Sequence, residues 1–129
     1  MATKQLTQQG FKDNIFDYAS GQDWHFKGKL PAIIDFYADW CGPCKAVAPL
    51  LEELSNEYAE RVDIYKIDTE REQELSSLFG IQSIPTFLFI PLEGDPMMQR
   101  GAFGKDVFVE IIETRMLNSV PEASENNED

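Results

Sequence analysis

The chain has 129 residues, the size of one domain, with 43% hydrophobic and 26% charged residues, ordinary values for a globular protein. Its 23 acidic and 11 basic side chains give a formal net charge of −12. That speaks against nucleic acid, because phosphate binding needs clustered Lys and Arg, and less strongly against anionic membranes. The longest apolar runs, such as Phe87 to Ile90, fall far short of the ~20 residues that a membrane-spanning helix needs. Met1 to Gly10 is polar and carries no apolar signal-peptide core. The expectation is a cytoplasmic protein. A periplasmic or other extracytoplasmic one would read the same once a signal peptide had been removed.

Lys4 to Gln9 can hold a short edge strand. Phe11, Ile15, Phe16 and Tyr18 or Ala19 recur at near-helical spacing and predict a helix over 10–19. Ser20 to Asp23 breaks it. Ala32 to Tyr37 is an apolar run with one acid inside, Asp35, the pattern of a strand buried on both faces. Asp39 to Cys44 turns the chain. A helix follows over 43–59, with Val47, Leu50, Leu51, Leu54 and Tyr58 on its inner side. Pro43 suits its first turn, whereas Pro49 should kink it. Val62 to Ile67 predicts a second buried strand, and Glu70 to Phe79 a helix ended by Gly80. Thr86 to Ile90 and Met97 to Arg100 predict a hairpin. Lys105 to Leu117 predicts a last helix with Phe108, Ile111, Ile112 and Met116 inward. The order β-α-β-α-β-α-β-β-α implies an α/β fold, a mixed central sheet with helices on both faces. The domain should occupy 1–118. Residues 119–129 are acidic and nearly devoid of apolar side chains, the composition of a disordered tail.

The two cysteines, Cys41 and Cys44, are separated by two residues. A bond between them would close a very small loop and remove little entropy from the unfolded chain, so it is a poor staple. Such a pair reads as redox-active or metal-binding. A structural zinc site needs four ligands, and the chain offers two Cys and one His, His25, in another segment. Ligand number therefore argues against a metal. At a helix N-terminus, free amides and the helix dipole favour a thiolate on Cys41. Cys44 lies one turn in and should be less exposed. Cys41 would attack a substrate disulfide, and Cys44 would resolve the mixed disulfide, leaving Cys41–Cys44 oxidised. Gly42 should let the chain bend tightly and leave room for a substrate backbone, and Pro43 should fix the helix entry.

The run Asp35-Phe36-Tyr37-Ala38-Asp39-Trp40-Cys41-Gly42-Pro43-Cys44-Lys45 resembles the thioredoxin family. So do Lys66-Ile67-Asp68, Gly80 to Thr86 and Gly101-Ala102, and the similarity in element order covers residues 4 to 117. The resemblance implies a thioredoxin fold and a protein-disulfide reductase. It would be monomeric, bind no cofactor, act on disulfide-containing proteins, and draw electrons from a thioredoxin-reductase-like donor. It further implies that Asp35 is a buried acid of raised pKa moving protons to and from Cys44, with Lys66 tuning its charge. Pro85 would follow a cis peptide bond. Trp40, Gly42, Pro43, Ile84, Gly101 and Ala102 would form an apolar docking patch around Cys41. Two other readings use the same residues: an oxidase or isomerase of higher potential, and a binding or scaffold module. The sequence departs from the common pattern at Tyr37, where many members carry a second Trp, and at Ser83 and Arg100 beside the docking patch. The segment 22–29 is longer than a minimal loop.

Overall fold

The computed structural model describes residues 3–117; the expected tail and the end of the expected domain, residues 118–129, lie outside them. Five strands, β1 (Lys4–Gln5), β2 (Ala32–Tyr37), β3 (Asp63–Asp68), β4 (Thr86–Ile90) and β5 (Met97–Arg100), form one sheet in the order β1-β3-β2-β4-β5. The helices are α1 (Gln8–Asn14), α2 (Gly42–Glu57), α3 (Gln73–Leu78) and α4 (Lys105–Ile111). β1, β3 and β2 run parallel, and β4 is antiparallel to both β2 and β5. The sheet is mixed, as the element order predicts.

Alternation along the strands sorts two apolar layers. Ile33, Ile64, Phe87 and Phe89 face α2 and α4, meeting Val47, Leu51, Leu54, Phe108 and Ile112. Ile34, Phe36, Ile67, Leu88 and Ile90 face the other way, toward Phe11 of α1 and Leu75 of α3. Each fully buried Leu, Ile or Phe contributes roughly 1.5–3 kcal/mol. The segment 22–29 joins the second layer: Trp24 and Phe26 pack against it, and the Trp24 ring lies 5.0 Å from that of Phe16.

Several helix limits differ from the periodicity. α1 begins earlier than expected because the Thr7 hydroxyl caps it, accepting from the Gly10 amide at 3.0 Å. It stops at Asn14, and Tyr18–Ser20 form a separate 3₁₀ turn closed by Gly21 at φ +79°. α3 is shorter than expected because Asp68 takes up the preceding amides. Its carboxylate accepts from Glu70 N–H, and its carbonyl from Arg71 and Glu72 N–H. The last helix turns into a π-helical turn at Ile112–Met116, which leaves both Ile112 and Met116 buried. Pro49 sits inside α2 on its exposed side.

Candidate active site

β2 is the central strand, and the chain leaves its end through Ala38 and Asp39 into α2. Cys41 is the N-cap of α2, in extended conformation at φ −88° and ψ 112°. Its amide donates to Ala38 O at 3.2 Å, and its Sγ accepts from the Cys44 amide at 3.2 Å. That contact satisfies one of the free amides of the helix start and is the interaction a thiolate needs. Cys41 and Cys44 are joined in a disulfide, their Cα atoms 5.3 Å apart.

Exposure does not separate the two cysteines as the sequence led one to expect. Cys41 is 4% exposed and Cys44 5%. Ala38, Tyr37 and Ile84 pack around the pair. What separates them is their neighbours. Cys41 Sγ lies 3.9 Å from the carbonyl oxygen of Ile84. Cys44 lines a recess of about 100 Å³ together with Tyr37, Asp39, Lys45 and Lys66.

Gly42 has no left-handed backbone, so a tight bend does not explain it. A Cβ there would meet nothing within 4 Å; the space over it is open. Gly42 and Pro43 are both exposed at the first turn of α2.

The Ile84–Pro85 peptide is cis. The Pro85 carbonyl accepts from Gly101 N–H at 2.9 Å, so Gly101, at φ +99°, is held against the proline. Ala102 follows it, exposed. Trp40, 69% exposed, and Ile84 line a groove of about 450 Å³ whose other walls are Thr69, Gln73, Ser76, Ser77, Ile81, Gln82 and Ser83. Gly101 and Ala102 are not among its walls. Of the residues predicted for docking, only Trp40 and Ile84 line this groove. The groove is more polar than expected, because α3 supplies hydroxyl and amide side chains. Glu70 went unnoticed in the sequence: its carboxylate accepts from Trp40 Nε1 at 3.2 Å. Only its place just after β3 could have suggested it.

Asp35 is 1% exposed, and its Oδ1 has no hydrogen-bond partner among the described residues. Burial pushes its carboxyl up to about 7, and the charge of Lys66 acts in the opposite direction. Lys66 pairs with Asp35 in the β2–β3 register, and its Nζ lies 4.4 Å from the centre of the Tyr37 ring. His25 is exposed. Among the described residues no cluster of three or more His, Cys, Asp or Glu is placed to hold a metal ion.

The family model described as Thioredoxin matches residues 3–114. The chain belongs to the thioredoxin family. The thioredoxin of Borreliella burgdorferi is 50% identical over 107 residues, which cover 83% of this chain and 92% of that protein. Thioredoxin 1 of a Nostoc species is 30% identical over 89% of this chain and 98% of its own length. The crystal structure of chloroplastic thioredoxin z, reported as defining a type-specific target recognition, matches with a TM-score of 0.75 at 26% identity, over 88% of this chain and 94% of that one. This thioredoxin fold, with its close cysteine pair, is that of a thiol–disulfide oxidoreductase, a protein-disulfide reductase.

Proposed function

We propose that Cys41 is the attacking thiol, Cys44 the resolving thiol, and Asp35 the group that exchanges a proton with Cys44. In the reduced protein the Cys41 thiolate attacks one sulfur of a substrate disulfide. The substrate S–S bond breaks, a Cys41–substrate disulfide forms, and one substrate sulfur leaves as a thiolate. Asp35 takes the Cys44 proton, and the Cys44 thiolate attacks Cys41 Sγ. The mixed disulfide breaks, Cys41–Cys44 closes, and the second substrate sulfur leaves. Two electrons have passed to the substrate.

The observation that carries this order is the cap. Cys41 Sγ accepts from the Cys44 amide at the start of α2, where negative charge on sulfur is favoured. The Ile84 carbonyl beside Cys41 and the groove beyond Trp40 support docking of an extended substrate segment there. Asp35 is supported by its burial and its unpaired oxygen.

The protein uses no bound cofactor in this reading. It works as a monomer, in the cytoplasm, on disulfide-bonded proteins, and a partner reductase returns it to the dithiol. No helix among the described residues is long and apolar enough to cross a membrane. The test uses a disulfide-bonded protein such as insulin. Cys44→Ser should accumulate a stable mixed disulfide through Cys41, and Cys41→Ser should form none. A trapped adduct in Cys41→Ser reverses the assignment. Asp35→Asn should slow resolution more than attack, and resolution at the parent rate removes Asp35 from the mechanism.

A further inference from the structure

On the face of the sheet that bears α2, Asp35 and Tyr37 stand two residues apart on β2, and so point to the same side. Lys66 is the register partner of Asp35 on β3, and Gln5 is the register partner of Lys66 on β1. Gln5 Nε2 donates to the Tyr37 hydroxyl at 2.9 Å, which ties the tip of the phenol ring to β1. The Lys66 ammonium lies over that ring, 4.4 Å from its centre. A lysine on a flexible four-carbon stem is otherwise free to swing into water. The ring face, negative in its quadrupole, gives the ammonium a site next to the strand on which Asp35 sits.

We propose that Tyr37 is a positioning residue, whose ring holds the Lys66 ammonium over the Asp35 side of the sheet and so keeps that cation's field on the buried carboxyl. This rests on the reading of Asp35 as the proton-exchange group of Cys44, but the holding of Lys66 can be measured apart from it. Lys66 is the charge that acts on Asp35, and it opposes the effect of burial. The neighbours from the other elements leave it in that position. β4 presents Phe87 at the paired position, and α2 presents Cys44, which has no proton to lose in the disulfide form. Asp39 and Lys45 line the recess that Tyr37, Cys44 and Lys66 share. The aromatic side chain at position 37 would therefore help set the pH range in which Cys44 is served.

The test follows the Asp35 carboxyl by NMR titration of the oxidised protein, where the cysteines do not titrate. It compares the parent, Tyr37→Leu, Lys66→Gln and the double variant. Tyr37→Leu also admits water to Asp35, an effect present with or without Lys66, so the quantity read is the difference between backgrounds. Tyr37→Leu should move the midpoint further upward in the Lys66 protein than in Lys66→Gln, by about half a pH unit or more. Tyr37→Trp, which keeps a ring face, should restore most of the parent midpoint. Should Tyr37→Leu not fold, Tyr37→Ser at this half-buried position carries the same comparison. Equal movement in the two backgrounds, or a midpoint lowered only when Lys66 is present, overturns the proposal. If the midpoint behaves as stated while the pH profile of mixed-disulfide resolution stays fixed, the positioning of Lys66 stands and the proton-exchange role of Asp35 falls.

Discussion

Trp40 Nε1 donates to the Glu70 carboxylate across 3.2 Å, joining the residue before the cysteine pair to the start of the crossover toward α3. The indole is 69% exposed, so packing does little to orient it. The hydrogen bond does, and it turns an exposed ring into a fixed wall of the groove.

Glu70→Ala should free the Trp40 ring. A hydrogen bond of this kind is worth about 1 kcal/mol net, which predicts a ~5-fold rise in KM for a protein disulfide. The rate with a small aromatic disulfide should be unaffected, because that substrate does not reach the groove. Steady-state kinetics with both substrates checks this. An equal loss with both would place Glu70 in the redox step instead.

Asp35 should make stability fall as pH rises. Its folded-state value of about 7 stands above the ordinary 3.8, chiefly because it is buried. The folded protein therefore holds this proton more tightly than the unfolded chain. Below the unfolded value the carboxyl is neutral in both states and costs nothing. Between about pH 4 and about pH 7 the penalty of ionising it in the fold grows, to about 4 kcal/mol. Asp35→Asn removes that penalty. The variant should exceed the parent in urea stability at about pH 8, with the gap closing near pH 4. A gap that does not narrow at low pH contradicts the assignment.

Gly28 is needed for space. A Cβ there would run into the Phe26 ring. The ring would have to swing away from the layer that it packs against. Gly28→Ala should cost about 1–2 kcal/mol, seen as a Tm lower by several degrees, with redox activity intact below the transition. An unchanged Tm would mean that the segment 22–29 contributes little to the fold.

The reduction potential separates the reductase from the oxidase reading of the same cysteines. Equilibration with glutathione should place the Cys41–Cys44 couple below about −200 mV, in the range of reducing members of the family. A value above that would make the protein an oxidant or isomerase. For a two-electron couple, 30 mV already changes the balance by about 1.4 kcal/mol.

Strand β2 and helix α2 were legible because their patterns are dense. Ala32 to Tyr37 is nearly all apolar, and Val47, Leu51 and Leu54 hold one face of α2. The starts of α1 and α3 were not, because Thr7 and Asp68 decide them through contacts with particular amides. Cys41, Cys44, Asp35 and Pro85 stood out by motif. Glu70, Gln73 and Ser77 did not, since they approach Trp40 only through the folded crossover. The near-equal burial of the two cysteines was hidden for the same reason. Ile84, 43 positions after Cys41, supplies part of the cover.

That separation has a consequence for an unfolding chain. Cys41 and Cys44 are three positions apart and stay neighbours whatever the rest of the molecule does. The Ile84–Pro85 lip reaches them only because β4 lies antiparallel beside β2. Electron exchange is thus a short-range property of the sequence, while recognition is a long-range property of the sheet. As the sheet opens, the dithiol should go on reacting with small disulfides after it has lost its choice among proteins.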